Sequence, residues 1–215
     1  MKVLLLGATG ATGGLIEKLA IEKGIDLSVL VRNPGKLKPT ISQIKIIKGD
    51  VLNADEVTKA VKNVNTVIWT IGGHDKVRRK KSNTTVKLCE TGTRNLIEAA
   101  KLNGAERIIC VSSWGVVDSY SRIPFLFKRL IFPMILKDEL SDKAKQEKLL
   151  QNSGLDYTII RPSRLNNNTD NKELKVGFKL KYNHFNSTSR EALARFVLTE
   201  LLSPSFSKKI VEITQ

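Results

Sequence analysis

A glycine-rich turn near the start of the chain gives the clearest indication of a binding site. The segment Gly7 to Gly13, GATGATG, follows the apolar run Lys2–Leu6, which predicts a buried strand. Gly7 permits a tight turn, Gly10 lets the backbone approach a pyrophosphate, and Gly13 lets the next helix pack closely. The N-terminus of that helix would direct N–H groups and a positive dipole end at phosphate groups. The turn therefore predicts a dinucleotide site with contributions from Gly7, Thr9, Gly10, Ala11 and Thr12.

The end of the second predicted strand, Leu27 to Val31, bears on which dinucleotide binds. Arg32 and Asn33 follow it, and neither is the acidic residue that usually accepts the ribose 2′-hydroxyl of NAD. Arg32 is suited to a bidentate, charge-assisted contact with the 2′-phosphate of NADP, and Lys36 is near enough along the loop to join it. The sequence predicts NADP(H) as the preferred cofactor. NAD(H) stays as the alternative, because some NAD-binding proteins also lack the acid.

The predicted strands and helices, which hold these residues in place, alternate along the chain. Short apolar runs predict strands, and longer segments with apolar residues at helical spacing predict helices between them. Asn53 with Glu56, and Thr188 with Glu191, have the spacing of capping boxes at two of the helix starts. The pattern predicts an α/β fold, a Rossmann-type doubly wound parallel sheet in a single domain spanning 1–215.

Two stretches depart from this alternation, 119–137 and 163–187, and we predict that both are insertions on the substrate side. The first is rich in apolar and basic residues and is predicted to be a lid, in which Phe125, Phe127 and Phe132 stack on a flat conjugated ligand. The same composition suits contact with a membrane surface, a subunit interface or ordinary packing on the sheet. The second stretch is predicted to be irregular.

Composition narrows the function classes. The chain has 215 residues, with 36 Lys and Arg against 21 Asp and Glu, a net charge of +15. Such a charge attracts any anion, nucleic acid included, but solvated lysine faces explain it equally well, and we favour that interpretation. We expect no nucleic-acid partner for the basic run 76–81, which lacks interleaved aromatic residues.

The sequence does not support a metal site, a hydrolase active site, or a membrane or secreted location. Two histidines, His74 and His184, lack partners at metal-ligand spacing, so we expect no metal. The sequence contains no G-x-S-x-G motif of a hydrolase. We expect Cys89 and Cys110 to be buried and reduced. With no run that spans a bilayer and no signal peptide ahead of the first strand, we expect a cytoplasmic protein.

Six segments together resemble a known family: GATGATGG, LVRNPGK, KGDVLNAD, TIGG, TGTRNLIEAAKLNGAERIICVSSWG and EKLLQNSGLDYTIIRPS. Over about residues 1 to 165 the chain resembles the atypical short-chain dehydrogenase/reductases, in particular the NAD(P)H-binding group of biliverdin reductase B-like flavin reductases and NmrA-like proteins. The resemblance implies further cofactor contacts at Asp50, Val51, Ile71, Gly72, Gly73, Ser112 and Pro162, with Ser113 and Ser163 near the nicotinamide.

One departure from the superfamily concerns catalysis. Its usual Tyr-x-x-x-Lys motif aligns with Glu139 and Lys143, so a carboxylate stands where the proton-donating tyrosine is expected. Carboxyl groups are ionised at neutral pH and are poor proton donors there. Lys143 is either the superfamily's lysine or a solvated residue on a lysine-rich helix with Lys145 and Lys148.

These observations favour an NADPH-dependent oxidoreductase that transfers a hydride to a flavin, a quinone or a similar conjugated small molecule. In this hypothesis Ser113 hydrogen-bonds the acceptor or the nicotinamide, and Lys143 supplies positive charge. The alternative is an NADP-sensing regulator or binding protein without turnover, as the NmrA-like resemblance allows. An epimerase acting on nucleotide sugars fits less well, given the short chain and the missing tyrosine. We expect a monomer or a homodimer.

Overall fold

An eight-stranded sheet forms the centre of the computed structural model, which describes residues 1–37, 44–72, 87–122, 137–169, 172–181 and 186–215. The strands are β1 (Lys2–Leu6), β2 (Asp26–Val31), β3 (Lys45–Lys48), β4 (Thr66–Trp69), β5 (Arg107–Val111), β6 (Asp156–Pro162), β7 (Arg164–Asn166), β8 (Lys175–Gly177), β9 (Ser187–Ser189) and β10 (Lys209–Thr214). The helices are α1 (Ala11–Glu22), α2 (Ala54–Val61), α3 (Leu88–Asn103), α4 (Lys137–Gln151) and α5 (Arg190–Leu202), with 3₁₀ turns at Pro34–Lys36 and Val117–Arg122.

The strand order of the large sheet is β3-β2-β1-β4-β5-β6-β10-β8, and all neighbours are parallel except β8, which runs antiparallel to β10. The order reverses direction between β1 and β4, which is where doubly wound sheets open a crevice for ligands at the carboxyl ends of their strands. The predicted Rossmann-type α/β fold is confirmed.

Helices cover both faces of the sheet, as a parallel sheet requires. Helices α1 and α5 pack together on one face, where Ile16 and Val197 are fully buried. Helices α2, α3 and α4 pack side by side on the other, here called the α2–α4 face, around Trp69, Leu96 and Leu150. The strands that carry the glycine turn are therefore fixed between two apolar layers.

In its described residues, the stretch 163–187 contains more regular structure than its composition predicts. It contains β7 and β8, and β9 begins at Ser187; β7 and β9 form a small parallel pair, while β8 becomes an edge strand of the main sheet. These strands are only three residues long, too short for a side-chain period to be recognised in the sequence.

The predicted cap of the last helix is displaced by one residue. Ser189 is the N-cap of α5, and its side chain accepts a hydrogen bond from the N–H of Ala192 at 3.1 Å. Thr188 belongs to β9 instead, and its buried hydroxyl donates to the carbonyl of Ile213. In α2, by contrast, Asn53 caps the helix as predicted by accepting from the N–H groups of Asp55 and Glu56.

Candidate functional site

The glycine turn joins β1 to α1 in the geometry that the sequence predicts. Gly7 has φ +100°, and its carbonyl oxygen accepts a hydrogen bond from the N–H of Gly10 at 2.9 Å. Gly10 is the N-cap of α1 and has no side chain with which to cap the first N–H groups of the helix. The first turn of α1 is thus available to an anion at the carboxyl edge of the sheet.

Gly13 and Gly7 are required to be small by the contacts around them. A Cβ atom on Gly13 would lie 2.1 Å from the carbonyl oxygen of Gly7 and 3.0 Å from the Cα of Ala8. On Gly7 it would lie 2.6 Å from the Oγ1 of Thr70, whose hydroxyl donates to the carbonyl of Leu6. Helix α1 therefore packs on the turn itself, and the turn packs on the end of β4.

A cleft of about 250 Å³ opens beside this turn, at the point where the strand order reverses. The ends of β1, β2, β3 and β4 supply its walls. Its lining residues are Gly7, Thr9, Gly10, Leu30, Val31, Arg32, Gly49, Asp50, Val51, Thr70, Ile71, Gly72 and Leu88. Eight residues predicted from the sequence are in that set: Gly7, Thr9, Gly10, Arg32, Asp50, Val51, Ile71 and Gly72.

Other predicted cofactor residues lie near the cleft without lining it, as far as the structure describes the chain. Ala11 and Thr12 are in the first turn of α1, and Lys36 is exposed at the end of the 3₁₀ turn after β2. Gly73, the basic run 76–81 and both histidines lie outside the described residues, as do residues 123–136 of the predicted lid.

Arg32 stands on the rim of the cleft, directly after β2. The residue is exposed, and it faces the same cleft as the glycine turn. Asn33 follows it and accepts a hydrogen bond from the N–H of Gly35, which shapes the turn over Pro34–Lys36. The residues that follow β2 therefore set the direction in which the chain continues beyond Arg32.

The loop after β3 is held by residues whose part the sequence did not reveal. Glu56, expected to complete the capping box of α2, accepts instead from the N–H of Asp50 at 2.6 Å. The Asp50 carboxylate accepts from the N–H of Leu52 at 3.0 Å, and the amide of Asn95 in α3 donates to the carbonyl of Val51 at 2.9 Å. The sequence gives no signal for this contact of Asn95, because its partner lies 44 residues away.

The residues predicted to lie near the nicotinamide are at the ends of β5 and β6. These two strands follow β4 along the same edge of the sheet. Ser112 is buried, and its hydroxyl donates to Glu147 of α4 at 2.5 Å. The Ser113 hydroxyl donates to the carbonyl of Trp114, and Pro162 accepts from the N–H of Trp114 at 3.0 Å. Ser112, Ser113 and Pro162 are therefore neighbours at strand ends, beyond the described lining of the cleft.

Lys143 is buried below these serines. Its exposed fraction is 4%, and its Nζ donates to the carbonyl of Val111, the last residue of β5, at 3.4 Å. The alternative that Lys143 belongs to a solvated lysine face is wrong, although Lys145 and Lys148 on the same helix are exposed. Glu139, at the position expected for tyrosine, lies one helical turn before Lys143.

Cys89 and Cys110 pack close to Lys143 as free, buried thiols, which confirms their predicted state. Burial raises the pKa of the Cys89 thiol to about 12, against a smaller lowering by the charge of Lys143. Burial raises the pKa of Cys110 as well. Both are protonated at neutral pH and are not nucleophiles in the folded protein.

Helix α4 also caps helix α3 from outside. The buried carboxylate of Asp142 accepts from the N–H of Cys89 at 2.7 Å and from the N–H of Glu90 at 2.8 Å. These are orphan donors of the first turn of α3, whose first residue, Leu88, lines the cleft. The position of α3 beside the cleft thus depends on a residue adjacent to Lys143.

Neither a membrane span nor a metal site is found in the described part of the chain. None of its helices has the length and apolar character needed to cross a membrane. Within the same residues no three His, Cys, Asp or Glu side chains come together in a way that could hold a metal ion.

Comparison with known proteins agrees with this geometry. A family model described as NAD(P)H-binding matches residues 7–204, which include the glycine turn, the cleft and the strand ends beyond it. The chain belongs to the NAD(P)H-binding family. The resemblance inferred from the sequence is thereby confirmed, and so is the predicted cofactor class, NAD(P)H.

Among curated relatives of this family member, an uncharacterised chloroplastic protein of Arabidopsis thaliana is 29% identical over 99% of this chain and 76% of its own length. The chloroplastic protein TIC 62 of Pisum sativum is 27% identical over 78% of this chain, which spans only 33% of that longer protein.

Solved structures share the fold over nearly the whole chain. ChuY, an anaerobillin reductase from Escherichia coli O157:H7, superposes with a TM-score of 0.82 at 22% identity, covering 99% of this chain and 96% of that one. A short-chain dehydrogenase/reductase from Veillonella parvula in complex with NADP gives a TM-score of 0.81 at 17% identity, covering 100% of this chain and 94% of that one.

Proposed function

We propose that this protein is an NADPH-dependent oxidoreductase that transfers a hydride to a flavin, a quinone or a related conjugated small molecule. The observation that carries the proposal is that Arg32 and the glycine turn line one cleft. A dinucleotide whose pyrophosphate lies at the N-terminus of α1 would extend its adenosine half toward the end of β2. Arg32 there presents a guanidinium that suits a 2′-phosphate.

Hydride donation follows from where the other half of the cofactor would lie. From the glycine turn, the nicotinamide half would extend toward the ends of β5 and β6, where Ser112, Ser113 and Pro162 are neighbours. Bound NADPH supplies the hydride. In this proposal Ser113 hydrogen-bonds the acceptor or the nicotinamide, and Lys143 places a positive charge behind the strand end.

The class of acceptor follows from the missing tyrosine. Glu139 stands where the superfamily places its proton donor. The protein is therefore poorly suited to a substrate that must receive a proton from a side chain. Flavins and quinones accept a hydride on a conjugated ring and can take the proton from solvent. The name of ChuY, an anaerobillin reductase, supports reductase chemistry on this fold.

We further propose that 119–137 and 163–187 are the substrate-side segments, the first in the connection that follows β5 and the second directly after β6. The described part of the first, up to Arg122, exposes Tyr120, and the second begins with β7. A cytoplasmic location remains part of this proposal, on the ground of two reduced cysteines. The chloroplastic location in the names of two relatives belongs to those proteins.

The test is a turnover assay with the full chain. NADPH is mixed with FMN, riboflavin or a small water-soluble quinone, and its oxidation is followed by absorbance of the nicotinamide band. We expect oxidation that requires both protein and acceptor and is slower with NADH. The Gly13→Ala variant, in which a Cβ atom would clash with the turn, serves as a control and should oxidise NADPH more slowly.

A second function, an NADP sensor without turnover, is favoured by one observation, the carboxylate of Glu139 at the tyrosine position. Tight binding of NADPH in calorimetry, with no oxidation by any acceptor class named above, would support the sensor and contradict the oxidoreductase.

A further inference from the structure

A series of charged side chains extends from the interior of the α2–α4 face to the exposed residue Asp118, and the proposed chemistry does not use it. At its centre the guanidinium of Arg161 in β6 makes a forked pair with Glu147 of α4, Nε to Oε1 at 3.0 Å and Nη2 to Oε2 at 2.6 Å. The remaining Nη1 contacts Asp118 at 2.7 Å. Glu147 is fully buried and Arg161 is 2% exposed.

The two ends of this series of charged side chains contact different parts of the fold. At the inner end, the carboxylate of Glu147 accepts a hydrogen bond from the hydroxyl of Ser112. Ser112 lies at the strand end where the nicotinamide is proposed to bind. At the outer end Arg122 pairs with the buried carboxylate of Glu212 in β10 and donates to the carbonyl of Leu180 at 3.0 Å. Asp118 and Arg122 are one helical turn apart and also form an ion pair.

The segment between these contacts, Val117–Arg122, therefore crosses the end of the sheet. Asp118 is bound to β6, and Arg122 is bound to β10 and to the residues just after β8, which is the order of those strands in the sheet. The segment presents Val117, 59% exposed, and Tyr120, 43% exposed, to solvent.

The backbone of this segment is strained as well as anchored. Val117 has φ +50°, in the left-handed region that β-branched residues avoid. Such a conformation persists only where its surroundings impose it. The ion pairs of Asp118 and Arg122, directly after Val117, are contacts that can do so.

Buried ion pairs of this kind add little net stability, because desolvation offsets their attraction, and apolar residues of similar volume often serve as well. Their forked hydrogen bonds fix direction and distance closely. Burial opposes the charge of Asp118, but the hydrogen bond and positive charge of Arg161 outweigh it, so the pKa of that carboxyl lies below its ordinary value. Asp118 is therefore charged at neutral pH.

We propose that Glu147 and Arg161 are positioning residues that hold Ser112 and the Val117–Tyr120 surface in fixed relation, so that the surface forms the acceptor wall opposite the nicotinamide. This inference rests on the proposed function. The acceptor would contact the apolar side chain of Val117 and the aromatic ring of Tyr120, whose positions are set by the guanidinium of Arg161. Neither Glu147 nor Arg161 need touch the reacting atoms.

The test removes both charges together, because losing one partner of a buried pair leaves the other uncompensated. The variant Glu147→Leu/Arg161→Met is compared with Glu200→Leu/Arg107→Met. The control pair is buried to a similar degree, with Nη2 of Arg107 2.6 Å from Oε1 of Glu200, but it joins the start of β5 to α5 at the opposite edge of the sheet.

For the Glu147/Arg161 variant we expect the acceptor KM to rise about tenfold, while the dissociation constant for NADPH changes by less than about twofold. The control variant should leave the acceptor KM near that of the wild type. An unchanged acceptor KM, an equal rise in the control, or a parallel loss of NADPH affinity would overturn the proposal.

Two further measurements keep the outcome decisive. If the double variant does not fold by circular dichroism, Asp118→Asn removes the charge that pairs the crossing segment with Arg161, together with the ion pair to Arg122, and a smaller rise in acceptor KM, about threefold, is expected. If wild-type protein oxidises no NADPH, the oxidoreductase proposal fails by itself. The positioning proposal then depends on calorimetric binding of FMN to the NADP⁺ complex: weakening in the Glu147/Arg161 variant alone supports it, and equal or absent binding overturns it.

Discussion

Gly13 lies so close to Gly7 that a Cβ atom on Gly13 would stand 2.1 Å from the Gly7 carbonyl oxygen. That oxygen is not free to move, because it accepts the hydrogen bond from Gly10 that closes the turn. The shape of the phosphate-binding turn and the packing of α1 are thus one structural feature, and a methyl group at Gly13 disturbs both.

Replacing Gly13 by alanine should therefore weaken cofactor binding strongly while the protein still folds. We expect Gly13→Ala to weaken NADPH binding at least about tenfold and to cost about 1–3 kcal/mol of stability, measured by calorimetry and urea unfolding. Gly14→Ala is the matched control, since its Cβ would lie 3.5 Å from the nearest atom, the carbonyl oxygen of Ala8. It should bind NADPH normally and be as stable or slightly more so.

The role proposed for Arg32 predicts a change of cofactor preference. Arg32→Asp should lose NADPH affinity by about tenfold or more and keep or gain affinity for NADH, because a carboxylate repels the 2′-phosphate and can accept the 2′-hydroxyl. Arg195→Asp makes the same change in net charge on an exposed face of α5. Equal losses of NADPH affinity in the two variants would remove Arg32 from the site.

Burial distinguishes Lys143 from its neighbours and predicts a difference in turnover. Lys143→Met should lower kcat/KM by about tenfold or more, since it removes the one buried ammonium behind the β5 strand end among the residues that the structure describes. Lys148→Met removes an exposed lysine from the same helix and should leave the rate unchanged. Similar rates in both variants would assign Lys143 to packing alone.

Capping of α3 by Asp142 predicts a loss of stability. Asp142→Ala leaves two buried N–H groups, those of Cys89 and Glu90, without their acceptor, which should cost about 1–3 kcal/mol in urea unfolding. Asp138→Ala changes an exposed aspartate in the first turn of the same helix and should cost less. A loss no larger than that of the control would mean that water replaces the cap.

The buried thiols predict a dependence of stability on alkaline pH. The folded protein keeps the Cys89 proton, with a pKa of about 12, whereas the unfolded chain releases it above about pH 8.5. Stability should be unaffected below about pH 8.5 and should fall as the pH rises, by up to about 1.4 kcal/mol per pH unit for each thiol.

Cys89→Ala should make that decline shallower between about pH 8.5 and pH 10, measured by urea unfolding in the presence of a reductant. In the native protein at pH 8 both thiols should resist a thiol-labelling reagent that modifies them at once in denaturant. Rapid labelling of Cys89 in the native protein would contradict its burial.

Local sequence is sufficient to predict the glycine turn, the position of Arg32 at the rim and the order of strands and helices. These features are local: the strand, turn and helix over residues 2 to 22 are contiguous, and apolar runs alternate with amphipathic segments along the chain. For the same reason, eight of the predicted cofactor residues line the cleft.

The role of helix α4, by contrast, is visible only in the folded protein. Its sequence, KDELSDKAKQEKLLQ, is polar almost throughout and gives no apolar stripe, so no buried face is predicted. In the fold, Asp142, Lys143, Gln146 and Glu147 are all buried, at the spacing of one helical face that ends at Leu150. Their partners, Cys89, Val111, Thr93 and Arg161, are 14 to 53 residues away in the chain.

A polar side chain is buried only when its partners are in place, and the partners of α4 come from α3, β5 and β6 after the sheet has formed. A pattern based on hydrophobicity cannot show such a face, because the residues are indistinguishable from solvated ones until the distances are known. The phosphate end of the site is thus encoded locally, whereas the arrangement around Ser112 and Lys143 depends on contacts between distant parts of the chain.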